Sequence, residues 1–177
     1  MANTFYLIQA YDLLVNTAGG VTFSAIPQTY TDLLIKFSIR SNRTGQNSDD
    51  LKVTINSSTD YNNIRLFGLN GSTSQDGGAG SLYNYLGVGT AVDAAAGAFS
   101  SGQYLIPNYT NTSYPKVVNS YAIASNNVNN TYQSIIGNMT NIANNAAVTS
   151  INIQGYNATS GTLLAGSTIR LYGLKNS

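Results

Sequence analysis

The chain has 177 residues and a mass of 18.7 kDa, the size of one ordinary domain. Only 8% of it is charged, the formal charge is +1, and His, Cys and Glu are absent, which excludes imidazole bases, thiolate nucleophiles and the usual zinc, haem and iron–sulfur ligand sets. The near-neutral balance offers no basic stripe for a nucleic acid, and no apolar run nears the roughly 20 residues of a membrane-spanning helix.

Polar positions are filled by Asn, Ser, Thr and Tyr in place of the Glu, Lys and Gln that cover soluble helices. That choice favours strands and turns. In chain order, strands are predicted over residues 5–14, 21–26, 33–40, 51–56, 63–69, 81–88, 102–106, 117–124, 131–137, 148–156 and around 169–172. Period-two alternation is clearest where Leu33, Ile35, Phe37 and Ile39 oppose Leu34, Lys36, Ser38 and Arg40. It returns where Leu51, Val53 and Ile55 oppose Lys52, Thr54 and Asn56, and where Ile169 and Leu171 oppose Arg170 and Tyr172. Turn signals separate these runs at 18–20, 42–47, 70–71, 76–78 and 126–130. The Gly-rich stretch 71–102 reads as the longest low-order region, a hairpin plus a surface loop, and Ala94 to Ala96 suit one short helical turn. The whole, residues 1–177, reads as a single antiparallel β-sandwich of jelly-roll type with about eight to eleven strands.

Chemistry-bearing patterns are sparse. The seven acidic residues are all Asp: Asp12, Asp32, Asp49, Asp50, Asp60, Asp76 and Asp93. No spacing singles out a pair facing one scissile bond, and Asp32 and Asp60 sit where Asx-type turn contacts are expected. Asp49 and Asp50 lie in a polar stretch that suits either calcium oxygens or a solvated hairpin loop. No nucleophile elbow, phosphate-cradling loop or dinucleotide fingerprint occurs. A non-enzymatic protein without cofactor or metal is expected.

Tyrosine is the over-used functional side chain, with 13 copies. It covers contact area at low entropic cost and still hydrogen-bonds, so it suits protein contacts, glycan stacking or the outer face of a sheet. The expected contact residues are Tyr83, Tyr85, Leu86 and Val88 in the Gly-rich region, with Tyr109 and Tyr114 further on. One internal echo, residues 65–72 against 170–177, is read as convergence of strand–Gly–turn segments. Gly68 and Gly173 in it suit a bend or a close backbone approach. Asn-x-Ser/Thr sequons such as those at Asn56, Asn70, Asn108, Asn138 and Asn157 follow from the Asn-rich composition.

Three strings stand out. Residues 21–35 read Val-Thr-Phe-Ser-Ala-Ile-Pro-Gln-Thr-Tyr-Thr-Asp-Leu-Leu-Ile, residues 104–109 read Tyr-Leu-Ile-Pro-Asn-Tyr, and residues 167–177 read Ser-Thr-Ile-Arg-Leu-Tyr-Gly-Leu-Lys-Asn-Ser. Together they resemble a group of virion proteins of tailed bacteriophages, common in marine and cyanobacterial phages. The resemblance implies a jelly-roll β-sandwich, motifs with a structural role and no enzymatic activity. Within the first string, Pro27 is expected to end a strand and the Tyr30 hydroxyl to anchor the following corner.

The first strand starts close to Met1, so a fibre shaft is not expected, and residues 1–16 lack the basic region of a secretory signal. The expected role is a capsid decoration (cement) protein, made in the host cytoplasm and located in the virion. It would bind the major capsid protein or other virion proteins as a homo-oligomer, trimer or dimer. The alternative is a receptor-binding, tail-fibre or tail-associated module that recognises host surface glycans.

Overall fold

The computed structural model describes residues 4–58, 61–69, 72–81, 85–125, 132–141 and 145–175. Among them are twelve strands: β1 (Thr4–Asp12), β2 (Val21–Phe23), β3 (Asp32–Ser38), β4 (Ser48–Ile55), β5 (Tyr61–Leu69), β6 (Ser72–Ser81), β7 (Tyr85–Thr90), β8 (Ser101–Ile106), β9 (Lys116–Ser125), β10 (Tyr132–Asn141), β11 (Ile151–Gly155) and β12 (Thr168–Lys175). They form two antiparallel sheets packed as a β-sandwich. The large sheet has the order β1-β12-β3-β8-β9-β10-β5-β6, and the small one β2-β11-β4-β7.

The alternating pattern sets which side chains meet between the sheets. Along β4, Leu51, Val53 and Ile55 are fully buried while the residues between them are half-exposed, and β9 alternates strictly from Lys116 to Ser125. Phe23 and Ile153 from the small sheet join Ile35, Tyr104 and Ile135 from the large one in a single core. Each such side chain contributes about 1.5–3 kcal/mol when fully buried.

Three expectations change. The region 71–102 is not mainly loop: β6 runs through the Gly-rich 72–81 and β7 through 85–90, so the expected strand 81–88 straddles the junction of two. The expected turn signal at Asp76-Gly77 lies inside β6, where Gly77 is needed because a Cβ would sit 2.5 Å from the Asn63 carbonyl of β5. Residues 91–98 form turns and no helix. The reason is Arg40, which is buried and donates to the carbonyls of Val92 (2.9 Å), Ala94 (2.8 Å), Ala95 (2.6 Å) and Ala98 (3.2 Å). Those carbonyls converge on one guanidinium, which shapes the segment into isolated turns; the Ala95 carbonyl also accepts from the Ala98 amide (3.1 Å).

The three distinctive strings, far apart in sequence, meet at one corner where the chain crosses from β2 to β3. Tyr109 is fully buried there, donates its hydroxyl to the Pro27 carbonyl and accepts from the Tyr30 amide (3.4 Å). Asp32 accepts from the Asn108 amide (2.9 Å), and the Thr31 amide donates to the Leu174 carbonyl (2.8 Å). The Asp32 carboxylate thus reaches across the corner. Gly173 lies directly beneath Tyr30, where a Cβ would stand 2.3 Å from the ring. The close approach expected of Gly173 is therefore present, whereas the Gly68 position is open. The corner anchor is the Tyr109 hydroxyl, in place of the expected Tyr30 hydroxyl; Tyr30 contributes its ring.

Tyr109→Phe should cost about 1–2 kcal/mol in urea unfolding, because it removes the hydroxyl's hydrogen bonds to the Pro27 carbonyl and the Tyr30 amide. Tyr30→Phe, which keeps the ring over Gly173, should stay within about 0.5 kcal/mol of wild type. Equal losses for the two variants would contradict this assignment.

Candidate interaction surface

The structure distributes the expected contact residues unevenly. Val88 and Tyr109 are fully buried and cannot meet a partner: Val88 lies on β7 where that strand packs against β9 and β10, and Tyr109 plugs the corner. Both are corrections to the sequence reading, and the reason is that an apolar or aromatic residue in a strand-rich chain serves the core first. Tyr85 and Leu86 belong to β7 beside β4, with Tyr85 opposite Lys52. Tyr83 lies outside the described residues. Tyr114 is 71% exposed, on the loop between β8 and β9. That loop is held from below by Lys116, a buried ammonium that donates to the carbonyls of Asn111, Tyr114 (3.1 Å) and Asn145 (3.0 Å). Burial pulls the Lys116 pKa down, and its three donors all find acceptors.

The described aspartates have structural partners. Asp12 pairs with Arg170 (2.7 Å), Asp93 accepts from the Gly45 amide, and Asp32 serves the corner. Asp50 and Asp76 share Arg65, which meets Asp76 in a two-pronged contact (2.6 and 2.8 Å) and Asp50 at 2.8 Å. Arg65 therefore ties β5 and β6 of the large sheet to β4 of the small one. Asp49 is not in a solvated loop, because it is fully buried on β4. Its Oδ1 accepts from the Asn157 amide (3.0 Å), while Oδ2 has no hydrogen-bond partner and lies where a Gly155 Cβ would come within 2.6 Å. Burial pushes its carboxyl up from the usual value, against the opposing pull of Asn157, Ser41 and Arg43. Among the described residues no three carboxylates gather as a cation site.

With Arg40, Asp49 and Lys116 buried, few charges remain for the surface, and the two outer faces of the sandwich differ. The outer face of the small sheet is polar: Thr22, Lys52, Thr54, Asn152 and Gln154 line a shallow depression with Ser57 beside it. The outer face of the large sheet is apolar. Leu66 on β5, Ile136 on β10 and Tyr121 on β9 stand opposite one another in register and are 57%, 55% and 47% exposed. Ile64 and Ile123 flank them on the same face and are also exposed. Beside this row, Leu66, Gly68, Thr73, Gln75, Ser134 and Ile136 line an open groove of about 610 Å³. At the opposite end of the same face, Phe5 and Leu7 are exposed on β1, with Lys36 6.0 Å over the Phe5 ring and Tyr172 edge-on to it. Exposed Gln103 and Lys36 separate these two apolar areas, and clusters of this kind on a sheet mark contact surfaces.

The signal for this surface lies in strands that are apolar at both parities. In Ile64-Arg65-Leu66-Phe67 and in Val117-Val118 through Ile123-Ala124, each face carries apolar residues, so one face fills the core and the other remains outside. No protein-family model matches this sequence, and no curated protein matches it.

The raised Asp49 pKa has a sign that can be measured. Below its ordinary value of 3.8 the group is protonated both folded and unfolded, and it costs nothing. As pH rises above that, the unfolded chain releases the proton first, so stability falls through the window up to the folded value. Asp49→Asn should remove this decline, gaining on wild type in urea midpoint as pH is raised from about 3 to about 7. A difference that stays constant across that range would refute the assignment.

Proposed function

We propose that the chain is a non-enzymatic virion structural protein, most specifically a capsid decoration protein that binds the assembled shell. The observation that carries this reading is the two-sided surface: an apolar, largely uncharged outer face on the large sheet and a polar one on the small sheet. A side that resembles the inside of an interface, backed by one that resembles a wetted surface, suits a protein that lies against a larger body. The β1 end of the apolar face, where Phe5 and Tyr172 stand with Lys36 and Arg170, has the aromatic and cationic make-up that concentrates binding energy. The likeness of the three strings to tailed-phage virion proteins points the same way, and their meeting at one corner fits motifs retained for folding. Binding the assembled shell and not its free subunits would stabilise that shell by mass action.

The chain is expected to pellet with expanded empty capsids of the phage that encodes it, the partner being the major capsid protein. Phe5→Asp combined with Leu7→Asp should reduce the bound fraction at least tenfold. Thr22→Asp, on the polar face, should leave it unchanged. A wild-type chain that stays in the supernatant and binds host-cell envelopes instead would overturn decoration in favour of a receptor-binding module.

A further inference from the structure

We infer that the β5–β10–β9 part of the large sheet's outer face is the contact between two copies of this chain, packed face to face about a two-fold axis running along β10. The inference goes beyond the decoration reading and does not depend on it, because the contact forms in solution without any particle.

Charge argues for a second copy as occupant. A two-fold contact brings each surface against its own image, so any like charges near the axis repel. The outward positions flanking the axis are Leu66, Ile136, Tyr121, Ile123, Gln75 and Ser134, and none is charged. Such a patch meets its own image at no electrostatic cost. A charged partner surface would bury its ions against it unpaired.

Shape gives the same answer. β10 lies between β9 and β5, so rotation about it places β9 of one copy over β5 of the other. Tyr121 projects from β9, and the groove floored by Leu66 and Gly68 opens over β5, in the same cross-strand row and the next. The rotation therefore sets each Tyr121 ring over the partner's groove, twice by symmetry. Gly68 is what keeps that groove open. Its φ is not in the left-handed region, and a Cβ there would meet only the Ser72 carbonyl at 3.7 Å, so neither backbone nor packing within the chain requires glycine. The area spans β6 to β8, with Asp76 at its β6 edge paired to Arg65. About five strands at roughly 4.8 Å and seven residues at roughly 3.3 Å give a flat footprint near 550 Å². Two such footprints together exceed the ~1,000 Å² that a specific contact needs. The arrangement leaves Phe5 and Leu7 of each copy uncovered.

Size-exclusion chromatography with light scattering, at about 100 μM chain, should give the wild type twice the 18.7 kDa chain mass. Gly68→Val, which suits a strand and fills the groove, and Leu66→Asp should each give the single-chain mass with an unchanged circular dichroism spectrum. Tyr121→Ala should raise the dimer dissociation constant at least tenfold. Thr22→Asp, on the far face, should remain dimeric. A wild-type monomer would overturn the inference, and so would an oligomer that survives both Gly68→Val and Leu66→Asp. A dimer that fails to pellet with capsids would sink the decoration reading and leave this one standing.

Discussion

The sandwich depends on the corner at which the chain leaves the small sheet for the large one. There a single buried hydroxyl, that of Tyr109, joins the Pro27 carbonyl to the Tyr30 amide, and the ring of Tyr30 lies on the bare backbone of Gly173. Three segments from the start, middle and end of the chain are thus held together, with the Asp32–Asn108 and Thr31–Leu174 bonds beside the Tyr109 hydroxyl and the missing Cβ of Gly173. Exchanging the tyrosine for phenylalanine removes both hydrogen bonds, and exchanging the glycine for alanine forces two atoms together. With the corner set, β3 enters between β12 and β8 in the register that directs Leu33, Ile35 and Phe37 into the core. The conspicuousness of the three strings has a physical cause: they are parts of one joint.

A second constraint is the small number of charges and where they go. Arg40 gathers four carbonyls of the 91–98 loop, Lys116 gathers three beneath the Tyr114 loop, and Arg65 clamps the β5–β6 hairpin to β4 through two aspartates. A buried cation of this kind acts as a multi-pronged donor that replaces regular secondary structure with a defined loop. The consequence for function is indirect. Charge used to hold loops is unavailable to wet the outer face of the large sheet, and that face is left to be covered by protein.

Much of the fold was legible from side-chain alternation, because a half-buried strand must repeat with period two. The expected strands 33–40 and 117–124 end within two residues of β3 and β9, and the expected 51–56 lacks the first three residues of β4. β6 was not legible: its Asp76-Gly77 pair carries a turn signal, and only the nearness of the Asn63 carbonyl on β5 explains the glycine. The interaction surface was misread for a related reason. Tyrosine and valine are used alike in cores and contacts, so Val88 cannot be told from Tyr121 without knowing which parity of each strand faces inward, and Tyr109 lies in the turn after β8, where no parity applies. Arg40, Lys116 and Tyr109 bond to backbone carbonyls and, for Tyr109, also to a backbone amide, groups that carry no residue-specific mark in a sequence at all.

The proposed role places the large sheet's outer face under cover and the small sheet's outer face in water. A cryo-EM map of the intact particle tests this most directly. The account requires density for the chain on the outside of the shell, with Phe5 and Leu7 occluded and the Thr22–Asn152 face open to solvent. A chain seated with that polar face against the shell, or found only in the tail, would contradict it.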